Sequence, residues 1–215
     1  MKRFWIFFVI ANLILSAFFI DVWLTPNPGS RAIPMITLFE SGTLQIDRYE
    51  SYTLDKSLIN GHYYSDKAPL STMMTVPFYG LFKILGLDRL TPERYPAYPT
   101  AYTPGHVPRY ADSFVFPAYF AYITGGLVCG TIPFVVILAL VFSAVRRYTG
   151  NISPVLLACL PFYGSFVFVY TGAYFGHILA GMFLLGAYMA LERYKRYVVA
   201  GLLLGLAFLA EYPVG

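Results

Sequence analysis

The stretch FVFPAYFAYITGGLVCGTIPFVVILALVFSAVRR, residues 114–147, is apolar over nearly its whole length. Its first 32 residues contain no Asp, Glu, Lys or Arg, and Arg146 and Arg147 follow them directly. A helix needs about 20 apolar residues to cross the hydrocarbon core of a bilayer. Because the stretch exceeds that length and ends in two cations, it predicts a membrane-spanning helix whose arginine end faces the cytoplasm.

Four other apolar runs extend this interpretation to the whole chain. Hydrophobic residues make up 58% of the sequence and charged residues 12%, against roughly 45–50% and 25% in soluble domains. We therefore predict an all-α, polytopic transmembrane protein with a first span over residues 1–24 and further spans over 113–145, 152–170, 174–191 and 198–215. Since the last run stops with the chain, we expect the sequence to be the N-terminal part of a longer protein.

The basic residues set the predicted topology. Seven of the fifteen lie in three short segments around Arg3, Arg146 and Arg193, with Glu192 as the one acid there, whereas residues 30–112 hold eight acids and eight bases. The positive-inside rule then predicts a multi-pass protein of the plasma (inner) membrane, with a cytoplasmic N-terminus and residues 25–112 as a long extracytoplasmic loop. This topology explains where the basic residues lie, so the net charge of +4 does not indicate a nucleic-acid partner.

Two segments of the predicted loop have helical patterns. Residues 31–40 carry apolar side chains at helical spacing, which predicts a short helix on the membrane surface. Residues 68–87 are long enough to span, but they contain Pro69 and Pro77, and a true span would move Arg146 and Arg147 outside. We therefore predict a juxtamembrane helix over residues 68–87.

Small residues four apart indicate close helix packing at two places. Gly172 and Gly176 form one such pair, and Gly201 and Gly205 form another. Glycines at this spacing let helix backbones approach each other, so their predicted role is packing and not chemistry.

The candidate chemistry lies mainly in the loop, where carboxylates and cations are interleaved with tyrosines. Carboxylates beside aromatic rings suggest a sugar site, and Arg with Lys near headgroups suggests a phosphate site. The ordinary alternative is a solvated loop with interfacial tyrosines. Two further ionisable residues, His177 and Glu211, lie in or beside apolar runs, where such groups are costly and often functional. The loop candidates are Arg31, Asp47, Glu50, His62, Tyr63, Tyr64, Asp66 and Lys67.

The order Ser30-Arg31, Phe39-Glu40-Ser41-Gly42 and Gly61-His62-Tyr63-Tyr64-Ser65-Asp66-Lys67-Ala68-Pro69 resembles the first outer loop of GT-C-type, polyprenyl-phosphate-dependent glycosyltransferases. The similar groups are the protein O-mannosyltransferase-like enzymes of glycosyltransferase family 39 and the lipid A aminoarabinose transferases. The resemblance implies that the loop helices lie on the outer membrane face. It also implies that Lys67 binds the lipid phosphate, with Arg31 as a second ligand, and that His62, Tyr63, Tyr64 and His177 belong to the substrate site. Glu211 joins these substrate-site candidates because an ionisable group within an apolar run favours a functional or paired role.

One departure from that group concerns the catalytic base. The relatives have an Asp-Glu pair just before the first arginine of the loop, where this chain has Pro28, Gly29 and Ser30. Asp47 and Glu50 are the candidates to replace the pair, and Asp66 competes with them. Residues three apart share one face only on a helix or turn, so both acids reach one site only if this segment is turned.

The resemblance implies an integral membrane glycosyltransferase that moves a sugar from a polyprenyl-phosphate donor to a glycan, lipid or protein acceptor on the extracytoplasmic face. A carboxylate would deprotonate the acceptor hydroxyl, or would hold a divalent metal ion against the departing phosphate. No other cofactor is expected. Two alternatives stay open at this point: a multi-pass transporter or flippase-like protein, and a non-catalytic membrane assembly factor.

Overall fold

A computed structural model gives the fold and describes residues 2–20, 25–87, 112–146, 148 and 153–212. Within these ranges the chain is mostly helical, which confirms the predicted all-α class, with one small hairpin in addition. The helices are α1 (Lys2–Ala17), α2 (Pro26–Ser41), α3 (Leu70–Ile84), α4 (Asp112–Gly125), α5 (Ile132–Val145), α6 (Pro154–Tyr163), α7 (His177–Glu192) and α8 (Tyr197–Ala210). The expectations for residues 1, 21–24, 88–111, 147, 149–152 and 213–215 lie outside the described residues.

Three shorter helices and one hairpin join these helices. A π-helical segment, Gly126–Thr131, connects α4 to α5, and a 3-10 helix, Phe166–Gly172, follows α6. Another 3-10 helix, Asp47–Tyr52, precedes an antiparallel hairpin of β1 (Lys56–Ile59) and β2 (His62–Ser65), in which Lys56 pairs with Ser65 and Ile59 with His62. Asn60 and Gly61 form the turn with φ of 52° and 85°, which is the geometry that an Asn-Gly hairpin turn favours.

One helix among the described residues is long and apolar enough to cross a membrane, namely Pro117–Val145 with 29 residues. The pair Pro154–Tyr163 and Phe166–Gly172 would add a second if it counts as one broken span. Helices α1, α7 and α8 are apolar but have only 14 to 16 residues, so each is about 21–24 Å long against a hydrocarbon core of about 30 Å. The polytopic organisation therefore stays a prediction.

The packed helices divide into two groups. Helices α2, α3 and α4 pack against one another, and this first group surrounds a core that includes Ile33, Tyr79 and Phe82. Helices α1, α5, α6 and α7 form the second group around Phe134 and Leu138, and α8 packs along α7. The end of α8 also contacts α3, so the two groups meet where α3 and α8 touch.

Helix α2 differs from the predicted surface helix. It begins at Pro26, not at residue 31, and residues 28–37 are all buried. Pro26 and Pro28 suit the first helical turn, where a missing N–H costs nothing. Gly42 ends the helix in the left-handed conformation, and its N–H binds the Leu38 carbonyl. The apolar pattern correctly predicted a helix. That helix is largely buried against α3 and α4.

The span predicted over residues 152–170 is broken. Helix α6 ends at Tyr163, and the 3-10 helix that follows it is bent away by 80°. Pro161 lies within the last turn of α6, and Gly164 follows the helix. Proline removes a backbone donor and clashes with the preceding turn, and glycine is a poor helix former. Pro161 followed by Gly164 therefore favours the end of the helix at this point.

Close backbone contacts occur at the first predicted glycine pair and not at the second. A Cβ at Gly172 would lie 1.8 Å from the Phe19 carbonyl oxygen, and one at Gly176 would lie 2.1 Å from the Ala210 carbonyl oxygen. No described atom lies within 4 Å of a Cβ built at Gly201 or Gly205. The packing prediction is therefore confirmed for Gly172 and Gly176, whereas the described residues show no close packing at the pair in α8.

Candidate functional site

Three residues singled out in the sequence meet where α2, α7 and α8 come together. Arg31 lies on α2, His177 is the first residue of α7, and Glu211 directly follows α8. Glu211 Oε2 lies 3.0 Å from Arg31 Nη2 and 3.3 Å from His177 Nδ1. We call these three residues the Arg31 cluster. Gly176 allows the approach because any larger residue there would collide with Ala210 and with Glu211 itself.

The guanidinium of Arg31 is almost fully buried. Its side chain is 1% exposed and that of Glu211 is 12% exposed, whereas His177 is 54% exposed and lies at the opening of the cluster. Arg31 Nη1 also donates to the side chain and the backbone carbonyl of Asn27. Arg31 Nε has no hydrogen-bond partner among the described residues. A buried donor without a partner is rare in native proteins, so Arg31 Nε marks a position that would favour an acceptor atom of a water, ion or ligand.

A layer of buried hydroxyl groups lies beside the Arg31 cluster, and the sequence interpretation missed it. Thr72 Oγ1 donates to the Arg31 carbonyl at 2.9 Å, and Ser71 Oγ donates to the Ala210 carbonyl at 3.5 Å. The Tyr174 hydroxyl lies 2.8 Å from Thr75 Oγ1. The signal for this layer was the spacing of Ser71, Thr72 and Thr75, which places three hydroxyls on neighbouring positions of one helix. The layer connects the start of α3 to the Arg31 cluster.

Lys67 lies just before α3 and is shared by two carboxylates. Its Nζ is 3.1 Å from Asp55 Oδ2 and 3.1 Å from Asp66 Oδ1, and the lysine side chain is 20% exposed. Burial lowers the pKa of Lys67, but the hydrogen bonds to Asp66 and Asp55 outweigh it and leave the pKa raised. The ammonium is therefore charged at neutral pH, and the group of three carries one net negative charge.

Asp47 and Glu50 lie on a turn, as the sequence argument required, yet they bind different partners. Asp47 Oδ2 is 2.7 Å from His62 Nδ1, and Asp47 Oδ1 accepts a 2.6 Å hydrogen bond from the Tyr63 N–H. Glu50 pairs with Lys56. Since His62 lies at the turn of the hairpin and Lys56 at its open end, the two acids are held at opposite ends of the hairpin.

The remaining loop candidates support this arrangement. Two hydrogen bonds lower the pKa of Asp47. The one from the Tyr63 N–H has the larger effect, and the one with His62 has the smaller. The Lys56 ammonium lies 4.8 Å from the centre of the Tyr63 ring. Gln45 Nε2 donates to the Tyr64 hydroxyl at 3.1 Å. The three predicted catalytic acids are therefore divided among three basic side chains: Asp47 with His62, Glu50 with Lys56, and Asp66 with Lys67.

The described residues include no group of three His, Cys, Asp or Glu side chains placed to hold a metal ion. The possible divalent metal therefore stays an expectation from sequence. The hairpin had a signal in the sequence, since Asn60-Gly61 is the strongest short-range indication of a tight hairpin turn.

Comparison of the chain with protein-family models, with curated proteins and with solved structures gives no match in any of the three. The class of protein is thus defined by the fold alone: an all-α protein with one long apolar helix among its described residues and a buried arginine–glutamate pair where its two helix groups meet.

Proposed function

We propose that the protein is a membrane glycosyltransferase, which moves a sugar from a polyprenyl-phosphate donor to an acceptor on the extracytoplasmic face. The observation that carries the proposal is the Arg31 cluster, where a buried guanidinium with one unpartnered N–H lies beside Glu211 and His177. Guanidinium groups are suited to phosphate because their donors form a planar fork. A phosphate oxygen at Arg31 Nε would satisfy the orphaned donor.

Lys67 would act with Arg31 on the same phosphate. The Asp66-Lys67 pair leads directly into the first turn of α3, whose Ser71 and Thr72 contact Ala210 and Arg31. Of the three acid–base pairs, this one is therefore linked most directly to the Arg31 cluster. A donor phosphate that approaches the Lys67 ammonium would replace one of its two carboxylates, and this would release Asp66 for proton transfer.

The proposed reaction breaks the bond between the sugar C1 and the phosphate oxygen and forms a bond from C1 to the acceptor hydroxyl oxygen. The acceptor proton passes to a carboxylate as the sugar goes through an oxocarbenium-like state. Polyprenyl phosphate leaves with its negative charge matched by Lys67 and Arg31. Asp66 is the preferred base because of its link to the Arg31 cluster, and Asp47 and Glu50 are the competitors.

The test is transfer of radiolabelled sugar from polyprenyl phosphate by the full-length protein in nanodiscs. Loss of a general base typically lowers the rate 10²–10⁴-fold, so Asp66→Asn should do so, while Asp47→Asn and Glu50→Gln should stay near the wild-type rate. If Asp66→Asn transfers sugar normally and Asp47→Asn does not, the base has been assigned to the wrong acid. If the wild-type protein never removes label from the lipid, the proposed function is wrong.

A lipid flippase or transporter is the second candidate, and the 80° break after α6 favours it. Broken helices are common at transporter binding sites, and ionisable groups in apolar segments, such as Glu211, often mark them. Sealed proteoliposomes separate the two candidates. A flippase exposes labelled lipid on the opposite leaflet with the sugar still attached, whereas a transferase removes the sugar from the lipid.

A further inference from the structure

A groove of about 250 Å³ opens between α5, α7 and α8. It lies near the end of α7 and the start of α8, whereas the Arg31 cluster lies at the start of α7 and the end of α8. The apolar wall of the groove includes Leu140, Val199 and Leu203, and its rim carries Arg193, Tyr194 and Arg196. An apolar groove with two guanidinium groups at its rim is complementary to a phospholipid, which has an apolar chain and a negatively charged phosphate.

The turn between α7 and α8 holds these arginines in place. The Arg196 N–H donates to the Ala190 carbonyl at 2.8 Å, and the Lys195 N–H donates to the Leu191 carbonyl at 3.2 Å. The Lys195 bond spans four residues and is that of the αL motif, in which the residue after the helix is left-handed and is usually glycine. Here that residue is Lys195, with φ of 51°. The chain thus has a third cation at a position where glycine would be favoured.

The charges of the turn are unbalanced. The turn has three cations, Arg193, Lys195 and Arg196, and the adjoining end of α7 has one acid, Glu192. In the part of the chain that the structure describes, none of the three cations forms an ion pair, and Arg193 lies 5.2 Å from the centre of the Tyr194 ring. The turn therefore presents an uncompensated positive charge beside an apolar groove.

We propose that this groove binds one anionic phospholipid of the cytoplasmic leaflet. Its phosphate would lie between Arg193 and Arg196, and one acyl chain would lie along Leu140, Val199 and Leu203. Basic pockets between helices on the cytoplasmic side are suited to anionic headgroups. The inference requires that the protein lie in a membrane with this turn in the cytoplasm, but it does not depend on sugar transfer.

Native mass spectrometry of the full-length protein in detergent micelles tests the site. The protein is titrated with dioleoylphosphatidylglycerol or dioleoylphosphatidylcholine, and the bound lipid is counted. We expect phosphatidylglycerol to bind more tightly, and Arg193→Gln or Arg196→Gln to weaken it roughly fivefold each, which is the contribution of one cation near anionic lipid. Val199→Trp keeps every charge but fills the groove from an exposed position, so it should also weaken binding.

Arg146→Gln is the matched control, because Arg146 is exposed at the end of α5 and does not line the groove. It should leave phosphatidylglycerol binding within about twofold of wild type. The proposal is overturned if the two lipids bind equally, if Arg146→Gln weakens binding as much as Arg193→Gln, or if Val199→Trp leaves binding unchanged. Because no sugar donor is present, these results do not depend on whether the protein is a transferase.

Discussion

A buried charge is stabilised by a partner charge and by hydrogen bonds, and Arg31 has Glu211 as its partner charge and Asn27 as a hydrogen-bond acceptor. Breaking a buried pair by removing one partner typically costs about 3–5 kcal/mol, because the other charge is left uncompensated. Arg31→Met should therefore lower the free energy of unfolding by roughly that amount in mixed detergent–SDS micelles. Arg31→Met combined with Glu211→Leu should recover part of the loss.

The exposed pair of Arg48 and Glu40 provides the matched control. Its nitrogen–oxygen distance is 3.4 Å, and Arg48 is 72% exposed. Exposed pairs contribute about 0–1 kcal/mol, so Arg48→Met should cost no more than that. If Arg31→Met and Arg48→Met lower the free energy of unfolding equally, the buried pair of Arg31 and Glu211 contributes no more to stability than an exposed pair.

Asp47 predicts a pH effect at the hairpin. Its pKa is lowered from the ordinary value of 3.8 by the Tyr63 N–H and then by His62. Because its pKa is lower in the folded state, the carboxylate stabilises the fold at pH values above its unfolded-state pKa. This stabilisation is lost as the pH falls through the folded-state pKa. The NMR shift of the Tyr63 amide should therefore titrate with a midpoint below 3.8. Asp47→Asn should abolish that titration, and a midpoint above 3.8 would contradict the hydrogen bond.

The individual residues of the Arg31 cluster were predictable, but their contact was not. Glu211 and His177 drew attention as ionisable groups in or beside apolar runs, and Arg31 through the loop resemblance. Arg31 and Glu211 are 180 positions apart in the chain. Local patterns carry no information about such a contact, because it depends on how α2 and α8 pack.

At the scale of elements, the π-helical segment after α4 depends on glycine. A Cβ at Gly126 would lie 2.3 Å from the Gly172 carbonyl oxygen, which is a backbone atom and cannot rotate away. Overpacking typically costs about 1–3 kcal/mol, so Gly126→Ala should lower the free energy of unfolding by an amount in that range. Unfolding in SDS, monitored by circular dichroism, measures this change.

Gly205→Ala is the control for Gly126→Ala. Gly205 lies within α8, and no described atom lies within 4 Å of its Cβ position. Alanine is favoured over glycine in a helix by roughly 0.5–1 kcal/mol, so this substitution should stabilise the protein. If both variants shift stability in the same direction, the close contact at Gly126 does not constrain the fold.

The elements were predictable where the apolar pattern was long and uninterrupted, as for α5, α7 and α8. The break after α6 was missed because residues 152–170 are apolar on both sides of Pro161 and Gly164. The hairpin was missed although Asn60 and Gly61 indicated a turn, since its strands have only four residues each. Strands this short have little alternation by which to detect them.

At the scale of the whole molecule, the predicted topology separates the hairpin from the turn between α7 and α8. Ser57 lies on β1 and Tyr194 in that turn. In a background with Cys129 and Cys159 replaced by alanine, impermeant thiol reagent on intact cells should label Ser57→Cys and not Tyr194→Cys. Permeabilised cells are the control, since both should then react. Labelling of Tyr194→Cys alone in intact cells would reverse the topology.

The most direct measurement of the proposed function is the fraction of radiolabelled sugar that leaves polyprenyl phosphate when the full-length protein is present in nanodiscs. The wild-type protein should release label to an acceptor, and Glu211→Gln should reduce release because it disrupts the Arg31 cluster. Glu192→Gln changes an exposed glutamate at the far end of α7 and should leave release unchanged. Label that stays on the lipid with the wild-type protein, for every polyprenyl-phosphate sugar supplied, would contradict the glycosyltransferase proposal.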